Sequence, residues 1–228
     1  MNQSRRAFLT HTALLPLLTV SAVKADPMDL LGQNNTPQQQ NSLGGVIKPY
    51  LTVGNFADDK YRVFMFLSYD CPYCKETWKG MGDWGKTLPN PFKFVFVPLS
   101  KGERSLDLAT RAFYVVRDVA PHKIETFQQI AFEKATQIRQ WQEWVEVLQR
   151  FVQIPAQAIE TSTRKPETAK RIDRARKLAG RYRVELTPSF GVGGKYATHV
   201  GYTNGNYQLL VQLLNALVSE IISADLVK

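Results

Sequence analysis

The stretch FLSYDCPYCKETW, Phe66 to Trp78, holds Cys71 and Cys74, the two cysteines of a 228-residue chain. Just upstream, Tyr61 to Leu67 is short, aromatic and β-branched, which predicts a strand buried on both faces. Downstream, Pro72 to Leu88 is one helix's worth of sequence. Pro91 to Pro98 alternates in part between bracketing prolines and predicts a second strand. The pattern is a strand-helix-strand unit with parallel strands, and it sets Cys71 where the first strand feeds the helix.

Such a pair is a staple, part of a metal site or a redox centre. A tetrahedral zinc site needs about four ligands. Beyond the pair and the N-terminal segment the chain offers only His122 and His199, with no second C-x-x-C, so no metal site is expected. A crosslink between residues three apart closes a minimal loop and removes little unfolded-state entropy. Redox chemistry suits the placement better. At a helix start the unpaired backbone N–H groups and the helix dipole favour a thiolate, and Pro72 has no N–H to lose there. Cys74, one turn on and more buried, reads as the resolving thiol, with Cys71 the exposed nucleophile. Asp70 disfavours the Cys71 thiolate and Lys75 favours it. Two thiolates also suit a soft ion such as Cu(I), which keeps a metal-binding or chaperone module as the alternative.

From Glu103 to Arg183 the apolar period becomes helical. Leu106, Ala109, Phe113 and Val116 mark one face, Ile138, Trp141, Val145, Leu148 and Val152 a second, and Ile172, Ala175, Leu178 and Tyr182 a third. Trp141 and Trp144 read as packing residues. Ser189 to Val192, a Gly193-Gly194 turn and Lys195 to Val200 predict a hairpin. A closing helix is expected over about Asn206 to Ile222. Ahead of the first strand, Val46 to Phe56 reads as extended.

At the N-terminus, Ser4-Arg5-Arg6-Ala7-Phe8-Leu9 precedes a modest apolar run, Ala13 to Val23, and a small-residue cleavage site ending at Ala25. This reads as a twin-arginine export signal, too short to span a bilayer. Its removal takes three cations from a formal charge of +9, so the chain stays basic. Its Lys and Arg residues are interspersed with Glu and Gln, the pattern of a solvated surface, and no nucleic-acid partner is expected. No later segment reads as apolar enough to span a membrane. The expected organisation is a signal at 1–25, a flexible leader at 26–45, a first α/β part at 46–102, a helical insertion at 103–183 and a second α/β part at 184–228.

Cys71-Pro72-Tyr73-Cys74 after a buried strand, a helical block, then Thr187-Pro188 before a hairpin together resemble the thioredoxin superfamily. Within it they resemble the DsbA family of exported thiol-disulfide oxidoreductases. The resemblance implies a thioredoxin-like α/β fold with a helical insertion, and a cis-proline loop at Thr187-Pro188 that lies beside the cysteines. Pro72, Tyr73, Thr187 and Pro188 are then the loop residues that face substrate. It implies a periplasmic monomer with no cofactor beyond the Cys71-Cys74 disulfide. Its substrates are exported cysteine-containing proteins, and its redox partner is either a quinone-linked membrane oxidase or a membrane reductant. Proline-tyrosine between the cysteines and a threonine before Pro188 resemble the disulfide isomerases and the DsbG-like proteins. Where many family members carry a buried acid six positions before the first cysteine, this chain has Met65, which leaves proton handling to water or to a group such as Glu185.

Overall fold

β2, Arg62–Leu67, is the strand on which the rest of the sheet is registered, and Val63 to Leu67 are all buried in it. It pairs in parallel with β3, Lys93–Pro98, and antiparallel with β4, Ser189–Val192. A strand paired on both sides and covered on both faces needs a continuous apolar run, which Val-Phe-Met-Phe-Leu supplies. The hairpin partner of β4 is β5, Tyr196–His199, turned through Gly193 and Gly194 at φ of +62° and +69°. β1, Leu51–Thr52, joins the far edge, so the order is β1-β5-β4-β2-β3. Among the described residues of the expected extended segment, these two pair as a strand.

The computed structural model describes residues 48–100 and 102–226. The expected signal at 1–25 and leader at 26–45 lie outside the described residues.

α1, Pro72–Lys86, covers one sheet face, with Trp78 against Phe96 and Trp84 against Phe94. A side chain at Gly85 would lie 2.5 Å from Phe94, so the helix approaches β3 closely only because that position is bare. α7, Tyr207–Leu226, lies beside α1, where the Trp84 indole N–H donates to Asn215 at 2.9 Å. By length and composition α7 is apolar enough to cross a membrane, contrary to the sequence reading. Its Leu210, Leu214, Leu217, Val218 and Ile221 are nevertheless buried. That stripe recurs at helical spacing and sets one side of α7 in the core, while Leu209 and Leu226 remain exposed.

Between β3 and β4 run α2, Arg104–Val119, α3, Ile124–Lys134, α4, Trp141–Arg150, α5, Ala156–Arg164, and α6, Pro166–Arg181. The expected faces of α2 and α6 match burial at Leu106, Ala109, Phe113, Val116 and Ala175. α4 differs. A capping box between Gln140 and Glu143 starts the helix at Trp141, which leaves Ile138 and Val152 outside it. Trp144, Val147 and Leu148 form its buried face, whereas Trp141 is half-buried beneath Arg111.

On the sheet face opposite α1, Tyr182 closes the end of α6 against Phe64, Phe66 and Phe56, with ring centroids 5.5, 5.7 and 6.1 Å away. The ring lies flat over Gly191, whose added Cβ would be 2.5 Å from two of its carbons. Gly191→Ala is therefore expected to destabilise the fold by about 1–3 kcal/mol, the usual cost of overpacking. Gly180→Ala, where nothing lies within 4 Å, should leave stability equal or higher. Urea unfolding of the two variants checks the pair.

Candidate redox site

β2 ends at Leu67, and four residues later the chain turns into α1 with Cys71 as its N-cap. The cap is a sulfur. The Cys74 backbone N–H donates to Cys71 Sγ at 3.4 Å, doing for this helix what a serine or aspartate oxygen does elsewhere. Pro72 occupies the first turn. The Cys71 N–H donates to Ser68 O at 3.1 Å and the Lys75 N–H to Cys71 O at 3.1 Å, so the backbone is held on both sides of the sulfur.

Across the site, the Thr187–Pro188 peptide is cis, as the resemblance implied; Asn90–Pro91, which carried no such expectation, is cis too. The Cys71 thiol donates to the Thr187 carbonyl at 3.1 Å. Pro188 is buried and Thr187 half-buried. The structure thus brings Cys71, Cys74, Pro72, Thr187 and Pro188 together. Tyr73, 58% exposed, stands outward beside them.

Both cysteines are free thiols, and the difference in their access is smaller than expected: Cys71 is 9% exposed and Cys74 is fully buried. Their acidities diverge strongly. Hydrogen bonding from the Cys74 side chain, then from the Thr187 side chain and from the backbone N–H groups of Cys74 and Tyr73, outweighs burial and lowers Cys71 from 9.0 to about 6. Cys74 moves far upward, because its proton is held by Cys71 and because it is buried. Cys71 donates to Thr187 O only in its thiol form; on ionisation it keeps the donors from Cys74, Thr187 and the two amides, and the remaining proton of the pair stays on Cys74.

Neither expected charged modulator is among these influences on Cys71. Asp70 is exposed, and its carboxylate accepts from the Ser68 hydroxyl, which also reaches Leu99 O at 3.3 Å. Lys75 is exposed on α1. Met65 is fully buried, and Glu185 is exposed with its charge acting on His199. Among the described residues, no group of three or more His, Cys, Asp or Glu side chains forms a metal-binding cluster.

Two features escape a reading of the sequence. Tyr69 donates to Gln128 Oε1 at 2.7 Å and packs on Phe127 and Phe132 of α3, while Trp78 stacks on Phe132, so the cysteine turn is buttressed by the helical block. A largely apolar groove of about 730 Å³ also runs beside the turn between α1 and α7, lined by Thr77, Gly80, Met81, Tyr207 and Val211. Residues contributed by elements so far apart in sequence leave no local signal.

No protein-family model matches the chain, and none of the curated proteins does. Solved structures do resemble it. DsbA of Pseudomonas aeruginosa superposes with a TM-score of 0.66 at 18% identity, covering 78% of this chain and 94% of that one. The oxidoreductase NmDsbA1 from N. meningitidis gives 0.63 at 16%, covering 79% and 95%. The oxidoreductase DsbA from Xylella fastidiosa gives 0.59 at 23%, covering 75% and 98%. The fold is therefore the thioredoxin-like α/β fold with a helical insertion expected from the sequence.

The acidity of Cys71 makes a signed prediction. A group with a depressed folded pKa stabilises the folded state above its unfolded value and loses that contribution as pH falls through the folded one. The reduced protein should thus gain stability relative to its Cys71→Ser variant between about pH 6 and 9, and converge with it below. Thiolate absorbance should titrate near 6 in the wild type. Thr187→Val, which removes the hydroxyl, should raise that midpoint.

Proposed function

We propose that this chain is an exported thiol-disulfide oxidoreductase that exchanges a Cys71-Cys74 disulfide with cysteines of other exported proteins. The observation that carries this reading is the capped Cys71 sulfur, its pKa lowered to about 6, set against the Thr187 carbonyl at 3.1 Å. A strongly acidic thiol is a good leaving group and a stable thiolate, which favours the dithiol over the disulfide. DsbA is itself the established example of that effect, and only its direction is applied to this chain.

In the oxidising direction a substrate thiolate attacks Cys71 Sγ, the Cys71–Cys74 bond breaks, and Cys74 leaves and takes up a proton. A second substrate thiolate attacks the mixed disulfide and expels Cys71 as a thiolate. Two electrons pass from the substrate dithiol to the enzyme, and the substrate leaves as a disulfide. Pro72, Tyr73, Thr187 and Pro188 form the surface that a substrate segment meets. Backbone groups of the Thr187-Pro188 loop are suited to pairing with an extended chain. No bound cofactor is called for, since the cysteine pair carries both electrons. A quinone-linked membrane oxidase would restore the disulfide. A membrane reductant would instead maintain the dithiol for isomerase- or reductase-like exchange, the direction suggested by the Pro-Tyr dipeptide and Thr187. We place the working protein in the periplasm as a monomer, exported through the twin-arginine signal at 1–25.

Turnover tests the reading. The purified protein should accelerate insulin reduction by dithiothreitol and oxidative refolding of a reduced substrate. Cys71→Ser should fall to the uncatalysed rate in both assays, and Cys74→Ser should accumulate mixed disulfides through Cys71. Equal rates for wild type and Cys71→Ser would sink the proposal. Export is tested separately: Arg5→Lys together with Arg6→Lys should strand the precursor in the cytoplasm, and unchanged export would point to the general secretory route.

A further inference from the structure

The sheet face opposite α1 carries a second cavity, of about 550 Å³, bounded by β2, β3, α2 and α6 and open to solvent. Its floor is apolar, made by Phe64 of β2 and Val95 and Val97 of β3, which share one face through the Phe64↔Val95 register. Its walls are cationic. On α6, Arg171, Arg174 and Arg181 recur at spacings of three and seven, which puts them on one helical face around Leu178. Arg117 enters from α2, and Arg62 from the start of β2, two residues before Phe64 and therefore on the same face.

Two of these cations are answered within the chain. Arg181 pairs with Asp59 at 3.0 Å, and Arg171 with Asp118 at 3.3 Å. Asp58, also at the cavity, is exposed, as are Arg62, Arg117 and Arg174, which stand at its mouth. Among the described residues Arg62, Arg117 and Arg174 form no salt bridge. Arg117 reaches solvent at its tip and lies over the Tyr114 ring at 6.0 Å, while the packing around its stem, then the charges of Arg171, Arg62 and Arg174, hold its pKa below the usual arginine value, with Tyr114 opposing them. Gathering like charges around a partly desolvated space costs stability, and that cost is recovered when an anion enters.

We propose that this cavity binds a small phosphoryl-bearing molecule with an apolar portion. Arg62, Arg117 and Arg174 hold the tetrahedral oxyanion, and the apolar portion lies on Phe64, Val95 and Val97. Planar guanidinium forks suit the oxygens of a phosphoryl group, and the volume is that of a small-ligand site. Cys71 belongs to the start of α1, which covers the other face of the sheet, so the cavity is separate from the redox pair. The proposal holds whether or not the chain exchanges disulfides.

Calorimetric titration of the protein with phenyl phosphate and with inorganic phosphate, at matched ionic strength in sodium chloride, tests it. Phenyl phosphate should bind, and about tenfold or more tighter than inorganic phosphate, because its ring buries apolar area. Arg117→Gln and Arg174→Gln should each weaken phenyl phosphate by about tenfold or more, the size of a lost charge-assisted contact. Arg176→Gln, on α6 but paired with Asp107 at 3.1 Å, should leave binding unchanged. Without ligand, Arg117→Gln should melt at or above the wild-type temperature, which separates a lost ligand contact from a damaged fold. The proposal is overturned if neither phosphate binds, or if Arg176→Gln weakens binding as much as Arg117→Gln. It is also overturned if vesicles with phosphate headgroups or a glutamate-rich peptide bind through these arginines while phenyl phosphate does not.

Discussion

One helical start, with a sulfur as its cap, organises the candidate redox site. The first turn of any helix leaves backbone N–H groups without partners, and here two of them, from Tyr73 and Cys74, are directed at Cys71. The same sulfur meets the Thr187 carbonyl from a segment more than a hundred residues away. That meeting follows from strand register. β2 and β4 run antiparallel with Phe66 opposite Ser189, so continuing the pairing brings Thr187 alongside Ser68, at the base of the cysteine turn. β2 is in turn fixed by β3 on its other side. A slip of β4 by one residue would turn its side chains to the opposite faces and carry Thr187 away from Cys71.

The thiolate is stabilised by oriented hydrogen-bond donors more than by nearby charged side chains. The Cys74 thiol is the largest favourable influence, followed by Thr187 and the two backbone amides. Donors held in a buried turn keep their strength when salt is added, whereas an exposed lysine such as Lys75 is screened. The helical block contributes by fixing the turn. Tyr69 is bonded to Gln128 and wedged between Phe127 and Phe132, so the residue two before Cys71 is anchored in α3.

The sequence discloses these features unevenly, for physical reasons. Val63 to Leu67, Pro72 at the first turn and the Gly193-Gly194 hairpin are legible because each is dictated by neighbours in the chain. The cysteine pair is legible for the same reason, though the acidity of Cys71 is not, since it depends on Thr187 across the sheet. The cis-proline loop comes only through the family resemblance. At α4 the apolar spacing is real but its register is misplaced, because Gln140 and Glu143 decide where the helix begins. α7 reads as too polar to span a membrane, yet its composition passes that test and its buried stripe lies within the fold. The arginines of α6 read as a solvated face, since helical spacing of charges does not reveal which of them converge on a cavity.

The two sheet faces solve different packing problems with the same strands. Toward α1, Met65 and the aromatics Phe94 and Phe96 meet a helix brought close by Gly82 and Gly85. A buried acid at position 65 would have to be desolvated in that apolar layer, which methionine avoids. Toward α2 and α6 the side chains are Arg62, Phe64, Val95 and Val97, and the facing helices supply more arginines than carboxylates. Close packing by larger apolar residues would fill that space without gathering like charges around it. An open, cationic cavity over an apolar floor is therefore poor as core and well suited as a receptor. The basic balance of the chain thus has a local component here, in addition to the dispersed lysines and arginines that keep its outer surface solvated.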